Sequence, residues 1–265
     1  MAKKFNPYKE ITLATGSGKE LSIEKYRELS FTNDVLKSFA RTGEGEGKVI
    51  IADRQTSPHG VLDKKHFKDD NSGLYMSILL RPTFSVKRSL MLTSMAAVAV
   101  VKAIREHAGI DIEEDIGVRW VSDIMYKRKK IAAILAEGAV NNDNGFDYII
   151  LGISVNLFSA IFPPKLTDIV AEIFSEEHEG LRDKMAKSIL RYFFEMYESF
   201  VVDTSFIDEY RDLFILDGKR VRVLADNVKA TATVTGITDD AHLKVRLKDG
   251  REYVLNSTSE LLTSY

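Results

Sequence analysis

Apolar residues keep two different rhythms along this chain. Up to about Leu213, short runs of strand character alternate with longer stretches of helical spacing, whereas beyond Asp217 only short alternating runs remain. Leu21 to Leu29, Val49 to Ala52, Leu74 to Leu80 and Phe146 to Val155 read as strands. Thr32-Asn33-Asp34 reads as the N-cap of a helix over Val35 to Arg41. Leu90 to His107 is small and apolar nearly all round, which predicts a buried helix. Leu181 to Phe200 predicts a long amphipathic helix with Leu181, Met185, Ile189, Tyr192, Phe193 and Met196 on one side. Strands mixed with helices in this way imply an α/β or α+β layer over residues 1–214. In residues 215–265 the strand-like runs are Arg220 to Leu224, Ala230 to Ile237, His242 to Leu247 and Glu252 to Leu255. Turns at Asp226-Asn227, Thr238 to Asp240 and Asp249-Gly250 separate them, and together they predict a small β-barrel.

Composition narrows the function by exclusion. With 265 residues, 45% of them hydrophobic, the chain can bury a sizeable core in one or two domains. The formal net charge of -2 gives no global basic field, so no nucleic-acid partner is expected. The lack of cysteine excludes disulfides, thiolate metal sites and a Cys nucleophile. The five histidines are scattered without metal-ligand spacing, and no protein-held metal is expected. Gly43 to Gly47 is a flexible turn rather than a phosphate cradle, because it lacks the Gly-Lys-Ser/Thr ending and holds two glutamates. No run approaches a membrane span and the N-terminus has no apolar signal region, which leaves a cytoplasmic location and no membrane partner as the expectation.

The candidate chemistry centres on Arg119-Trp120-Val121-Ser122-Asp123 and the Lys127 to Glu137 stretch that follows. Val118 to Tyr126 and Ile131 to Glu137 are strand formers around a basic tetrad, and the whole predicts a β-hairpin. Such a basic turn is ordinarily a solvated face. Lys130, where the turn enters the return strand, can instead face an anionic ligand together with Asp123. These residues resemble the biotin protein ligase family, whose hairpin carries a Lys/Arg-Trp-Pro-Asn-Asp stretch and then Lys-Leu-Ala-Gly-Ile-Leu. Trp120, Asp123, Lys130, Ala132, Ile134 and Leu135 agree, while Val121, Ser122 and Ala133 depart. The C-terminal Gly-Lys-Arg-Val-Arg-Val, Thr-Gly-Ile-Thr-Asp and Asp-Gly elements resemble the family's SH3-like domain.

The resemblance implies a mixed-sheet biotin/lipoate-ligase-like catalytic domain plus a small SH3-like barrel, and it carries over particular ligand contacts. Phe31-Thr32-Asn33 is similar to the family's Ser-Thr-Asn stretch around the biotin ring, with Phe31 replacing a serine; helix capping is the ordinary role of Thr32 and Asn33. Gln55 stands at the family's biotin glutamine. Pro58-His59-Gly60-Val61-Leu62-Asp63-Lys64 replaces the family's Gly-Arg-Gly-Arg-Arg-Gly-Arg loop, so that His59 and Val61 stand where guanidiniums would hold phosphate charge. Lys64, Lys65 and His66 resemble the basic-aromatic stretch at the nucleotide, together with Trp120 and Ser122. Leu151 to Asn156 is similar to the family's Gly-Ile/Ala-Gly-Ile-Asn segment: Gly152 and Asn156 match, and Ser154 replaces a glycine that lets ligand approach.

In that family a carboxylate attacks the α-phosphate of ATP, and an acceptor lysine then takes the acyl group from the adenylate. The resemblance therefore implies ATP, Mg2+ and biotin or a related carboxylic acid. The implied partner is a biotin carboxyl carrier protein or similar lysine-bearing domain, with a homodimer as a further expectation. Lys130 would bridge the two anions and Asp123 would anchor the adenylate. The alternative is a noncatalytic relative that binds a small acid or nucleotide as a sensor or partner-binding module. About twenty residues precede the first family strand, too few for the winged helix of the repressor type.

Overall fold

The computed structural model describes residues 6–57, 72–108, 115–158, 168–255 and 257–264. Its larger layer is an eight-stranded mixed sheet. The strands are β1 (Lys9–Ala14), β2 (Glu20–Leu29), β3 (Lys48–Gln55), β4 (Gly73–Leu80), β5 (Ile116–Arg119), β6 (Asp123–Tyr126), β7 (Lys129–Val140) and β8 (Phe146–Asn156), in the order β1-β2-β3-β4-β8-β7-β6-β5. Only β2 and β3 run parallel; every other neighbouring pair is antiparallel.

Side-chain alternation divides this sheet into two faces with different jobs. Ile51, Met76, Ile134 and Ile153 point into the large core, where α2 (Ser89–Ala108) and α3 (Leu181–Ser199) bury Val98, Val101, Ile189 and Phe193. Ile50, Ala52, Tyr75 and Ile150 point the other way and meet Val35, Leu36 and Ala40 of α1 (Thr32–Arg41) in a smaller core. Because α1 is short, it covers only part of its face. The central strand β4 is buried on both sides along its whole length, which explains why its sequence is apolar nearly throughout, broken at Ser77, rather than alternating.

A separate antiparallel sheet of five strands follows α4 (Phe206–Asp212). It comprises β9 (Arg220–Ala225), β10 (Val228–Ile237), β11 (Leu243–Leu247), β12 (Glu252–Leu255) and β13 (Leu261–Ser264), in the order β12-β11-β10-β9-β13. Val221, Val223, Ala232, Val234 and Val245 fill its inner side, while Arg220, Arg222, Thr233 and Arg246 face solvent. Its Thr238 to His242 turn docks on the larger layer: the Trp120 indole donates to the Ala241 carbonyl at 2.8 Å, and Arg88 and Arg211 pair with Asp240 and Asp239.

Three readings of the sequence are corrected by these elements. Val118 to Tyr126 is not one strand but two, β5 and β6, folded back around Trp120 to Ser122. The basic turn shrinks from four residues to two, Lys127 and Arg128, because Tyr126 pairs directly with Lys129. Helix α1 begins at Thr32, and its N-cap, Phe31, gives no side-chain cap bond. Thr32 and Asn33 are therefore not capping residues; both side chains turn inward.

Candidate active site

Register places the candidate residues on one line. Ala52 pairs with Tyr75, Tyr75 with Ser154, Ser154 with Ala133, Ala133 with Asp123 and Asp123 with Arg119. Residues opposite one another in a ladder share a face, so this row runs across six strands on the side that α1 only partly covers. Strand spacing puts Tyr75 and Asp123, three strands apart, about 14 Å from each other. An extended ligand can lie along that row with its two ends in different environments.

The end under α1 is a closed polar nest. Thr32, Asn33, Gln55 and Ser77 are all buried. The Gln55 Oε1 accepts from the Thr32 backbone N–H at 2.8 Å and lies 3.1 Å from the Thr32 hydroxyl. The Ser77 Oγ stands 2.7 Å from Thr32 Oγ1 and 2.6 Å from Asn33 Oδ1. Two hydroxyl protons must serve these three side-chain contacts. Because Asn33 Oδ1 can only accept, the Ser77 proton goes there and Thr32 donates to either Ser77 or Gln55. Asn33 Nδ2 donates to Glu137 at 2.7 Å, and Glu137 also holds Lys37 of α1 at 2.7 Å. Burial alone would lower the Lys37 pKa, but its bonds to Glu137 and Asp34 more than offset that and raise it.

Gly152 belongs to this nest for a steric reason. A Cβ there would lie 2.3 Å from Asn33 Oδ1, so the glycine makes room for the amide of α1. Ser154, one pleat further along β8, stays half-buried on the open part of the row.

The opposite end is charged. Lys130 Nζ lies 2.7 Å from Asp123 Oδ1, and Arg119 donates to Asp123 Oδ2 at 2.6 Å, so one carboxylate is shared by two cations and the cluster carries one positive charge in excess. A β-bulge sets this geometry: Ile124 pairs with Ala132 but Met125 pairs with Lys130, leaving Ile131 as the extra residue. The Lys130 backbone is clamped from outside by a bridge to Val170, with Lys130 N–H on the Ile169 carbonyl and Ala171 N–H on the Lys130 carbonyl. Asn156 braces the same clamp, donating to Ala171 at 3.0 Å and to Lys130 at 3.4 Å. A lysine with a fixed main chain and a side chain tied only at its tip can swing from Asp123 to an incoming anion.

The other sequence-selected residues fall as follows. Phe31 is buried just before α1, and the Ser122 carbonyl accepts from Ile134 N–H where β6 meets β7. Trp120 is 5% exposed with its one donor on Ala241, which makes it a joint between the two sheets. His59, Gly60, Val61, Lys64, Lys65 and His66 lie outside the described residues. Sequence reasoning passed over Arg119, although it stands inside the quoted motif, and over Ser77, Glu137 and Lys37, whose partners lie 44 to 104 positions away.

Comparison with known proteins agrees with this architecture. Residues 26–156 match the family model described as Biotin/lipoate A/B protein ligase family. The bifunctional ligase/repressor BirA of Bacillus subtilis is 29% identical over 239 residues, covering 88% of this chain and 72% of that protein. The biotin protein ligase of Aquifex aeolicus in complex with biotin and ATP superposes with a TM-score of 0.72 at 21% identity, covering 89% of this chain and 96% of that one. A biotin protein ligase-like protein of unknown function from Silicibacter superposes at 0.70 with 13% identity, covering 92% and 97%. The eight-stranded sheet, the polar nest and the Lys130 hairpin lie inside or beside the segment that matches the biotin/lipoate A/B protein ligase family model, and the chain shares its fold with the solved biotin protein ligases.

Proposed function

We propose that this protein is an ATP-dependent ligase that activates biotin or a related carboxylic acid as the acyl adenylate and passes it to a lysine of a carrier protein. The observation that carries the reading is the Arg119–Asp123–Lys130 cluster, a net-cationic group at the open end of a ligand-length row of side chains. Joining a carboxylate to a phosphate brings two anions together, and a preorganised cation where they meet stabilises the developing charge. In this scheme Lys130 leaves Asp123 to lie between the acid carboxylate and the α-phosphate, and Arg119 keeps Asp123 neutralised when it does. Thr32, Asn33, Gln55, Gly152, Ser154, Asn156 and Phe31 would shape the acid's berth, with Trp120 and Ser122 beside the nucleotide; the resemblance adds His59, Gly60, Val61, Lys64, Lys65 and His66.

Mg2+ enters this reading with ATP as substrate. Among the described residues no three His, Asp or Glu side chains gather to hold a metal, and Asp123 is already engaged by two cations. No helix among them is long and apolar enough to cross a membrane, in keeping with a cytoplasmic enzyme. A noncatalytic binding module is the second reading. What favours it is that Thr32, Asn33, Gln55 and Ser77 satisfy one another, and that His59 and Val61 replace two guanidiniums.

Acid-dependent pyrophosphate exchange separates the two. Wild type should exchange with biotin, lipoate or a medium-chain acid, and Lys130→Ala should lose about two to three decades of rate. Undiminished exchange in a folded Lys130→Ala protein removes Lys130 from the chemistry, and no exchange by wild type with any acid leaves the binding module as the better reading.

A further inference from the structure

The turn that precedes Lys130 is built from the wrong residues for its shape. Lys127 and Arg128 both sit at positive φ, 46° and 68°, in a two-residue hairpin closed by the Tyr126–Lys129 pair. That backbone is the one Asn, Asp and Gly adopt readily and long side chains resist. The same chain shows the ordinary solution in its other such turn, where Asp226 and Asn227 take φ of 50° and 63° between β9 and β10. Strain kept at one hairpin and avoided at another calls for a use of the side chains themselves.

Those side chains form a cationic tip. Lys127 and Arg128 are exposed and Lys129 is half-buried. Lys127 pairs with exposed Asp115 at 3.9 Å and lies over the Tyr126 ring. Arg128 and Lys129 make no ion pair among the described residues. Ile169, 44% exposed, adds an apolar spot where its carbonyl holds the Lys130 backbone. The tip is thus a small positive knob, one residue from Lys130, on a chain of net charge -2.

We infer that Lys127, Arg128 and Lys129 are the docking point for an acidic surface of the acceptor protein, placing its lysine over the Lys130 end of the strand row. This rests on the ligase reading for the identity of the partner. A protein surface fits better than a nucleic acid. Polyanion binding draws its strength from many phosphate contacts, typically about six to ten, and three cations on a net-acidic chain fall short of that. Three cations at a rim are enough to steer and register an acidic protein, an effect felt in the rate of encounter and its salt dependence.

The test uses a variant that should fold better than the parent. Lys127→Asn/Arg128→Gly installs the residues that the turn prefers and removes two charges. Titrated with an unmodified biotin carboxyl carrier domain at low salt, it should bind at least about tenfold more weakly than wild type and lose most of the salt dependence. Its melting temperature should rise and its acid-dependent pyrophosphate exchange should stay the same. Equal carrier binding by the two proteins, or wild-type binding indifferent to salt, overturns the docking point. Exchange without any carrier binding overturns it too while leaving the ligase reading intact. Salt-sensitive carrier binding that the variant loses, with no exchange by wild type, keeps the docking point and overturns the ligase reading instead.

Discussion

Beside one end of the strand row Thr32, Asn33, Gln55 and Ser77 are each at most 4% exposed and answer one another with hydrogen bonds. At the other, Arg119, Asp123 and Lys130 keep 20 to 30% of their side chains in solvent and share one carboxylate between two cations. The first arrangement is neutral and costly to disturb, because a buried polar atom that loses its partner keeps its full desolvation penalty. The second is a charged cluster near the surface, where exchanging one anion for another changes little in stability and much in what the lysine touches. Substitutions in the nest should therefore be read mainly in folding, and substitutions in the cluster mainly in turnover. Lys130→Ala is the sharpest case of the second kind: a rate loss of two to three decades amounts to about 3 to 4 kcal/mol on the barrier, with a melting temperature close to wild type.

Gly152→Ala is the counterpart on the nest side and the next largest effect. The added methyl would meet Asn33 Oδ1 at 2.3 Å, in a site walled by the backbones of β4 and β7, so α1 must move or the amide must abandon Ser77. Either outcome should cost about 1 to 3 kcal/mol, seen as a lower denaturation midpoint. Full stability in Gly152→Ala would show that α1 is loosely seated and that the nest is free to rearrange around a ligand. Ser77→Ala should come just below it, at about 1 to 2 kcal/mol, because Asn33 Oδ1 then loses its donor without any steric clash.

How much of this was legible in the sequence follows from the distance over which each contact acts. The hairpin around Asp123 and Lys130 is local, and a basic turn between strand formers announced it, although the break between β5 and β6 at Trp120 to Ser122 did not show in a run of uniform strand character. The apolar run of α2 and the alternation of β9 to β11 were equally readable, since burial is written directly into side-chain type. Strand β1 was missed because Lys9 to Ala14 is an edge strand with four of its six residues in solvent, and α4 because seven residues carry too little periodicity. Thr32 and Asn33 read locally as caps. Only the parallel pairing of β2 with β3 brings Gln55 beside Thr32, and only the β4–β8 register sets Gly152 opposite Ser77. Those are facts of topology, separated by tens of residues, that no local pattern encodes.

Arg119 sharpens the charged end by a smaller step. If it holds Asp123 while Lys130 swings away, Arg119→Gln should leave a one-to-one Lys130–Asp123 pair that releases its lysine less readily. Exchange should then fall by about tenfold, a loss of about 1.4 kcal/mol, in kcat rather than in the KM for the acid, and Arg119→Lys should recover part of it. A loss confined to KM, or no rescue by lysine, would mark Arg119 as a ligand contact or a packing residue rather than a positioning one.

The smallest effect concerns pH and the clamp of α1 onto β7. Lys37 is raised in the folded protein because its bonds to Glu137 and Asp34 outweigh its partial burial. A lysine whose folded pKa lies above its unfolded one contributes its stability below the unfolded value and loses it as pH climbs through the folded one. The contribution is therefore intact at neutral pH and disappears only above about pH 10, near lysine's ordinary range. For a partly exposed pair it should be under about 1 kcal/mol. Comparing wild type with Lys37→Gln, the difference in unfolding free energy should hold constant from pH 7 to 9 and shrink above pH 10. A difference that persists unchanged into that alkaline range would mean that the lysine stem, packed on the rim of the nest, rather than its charge, holds α1 against Glu137.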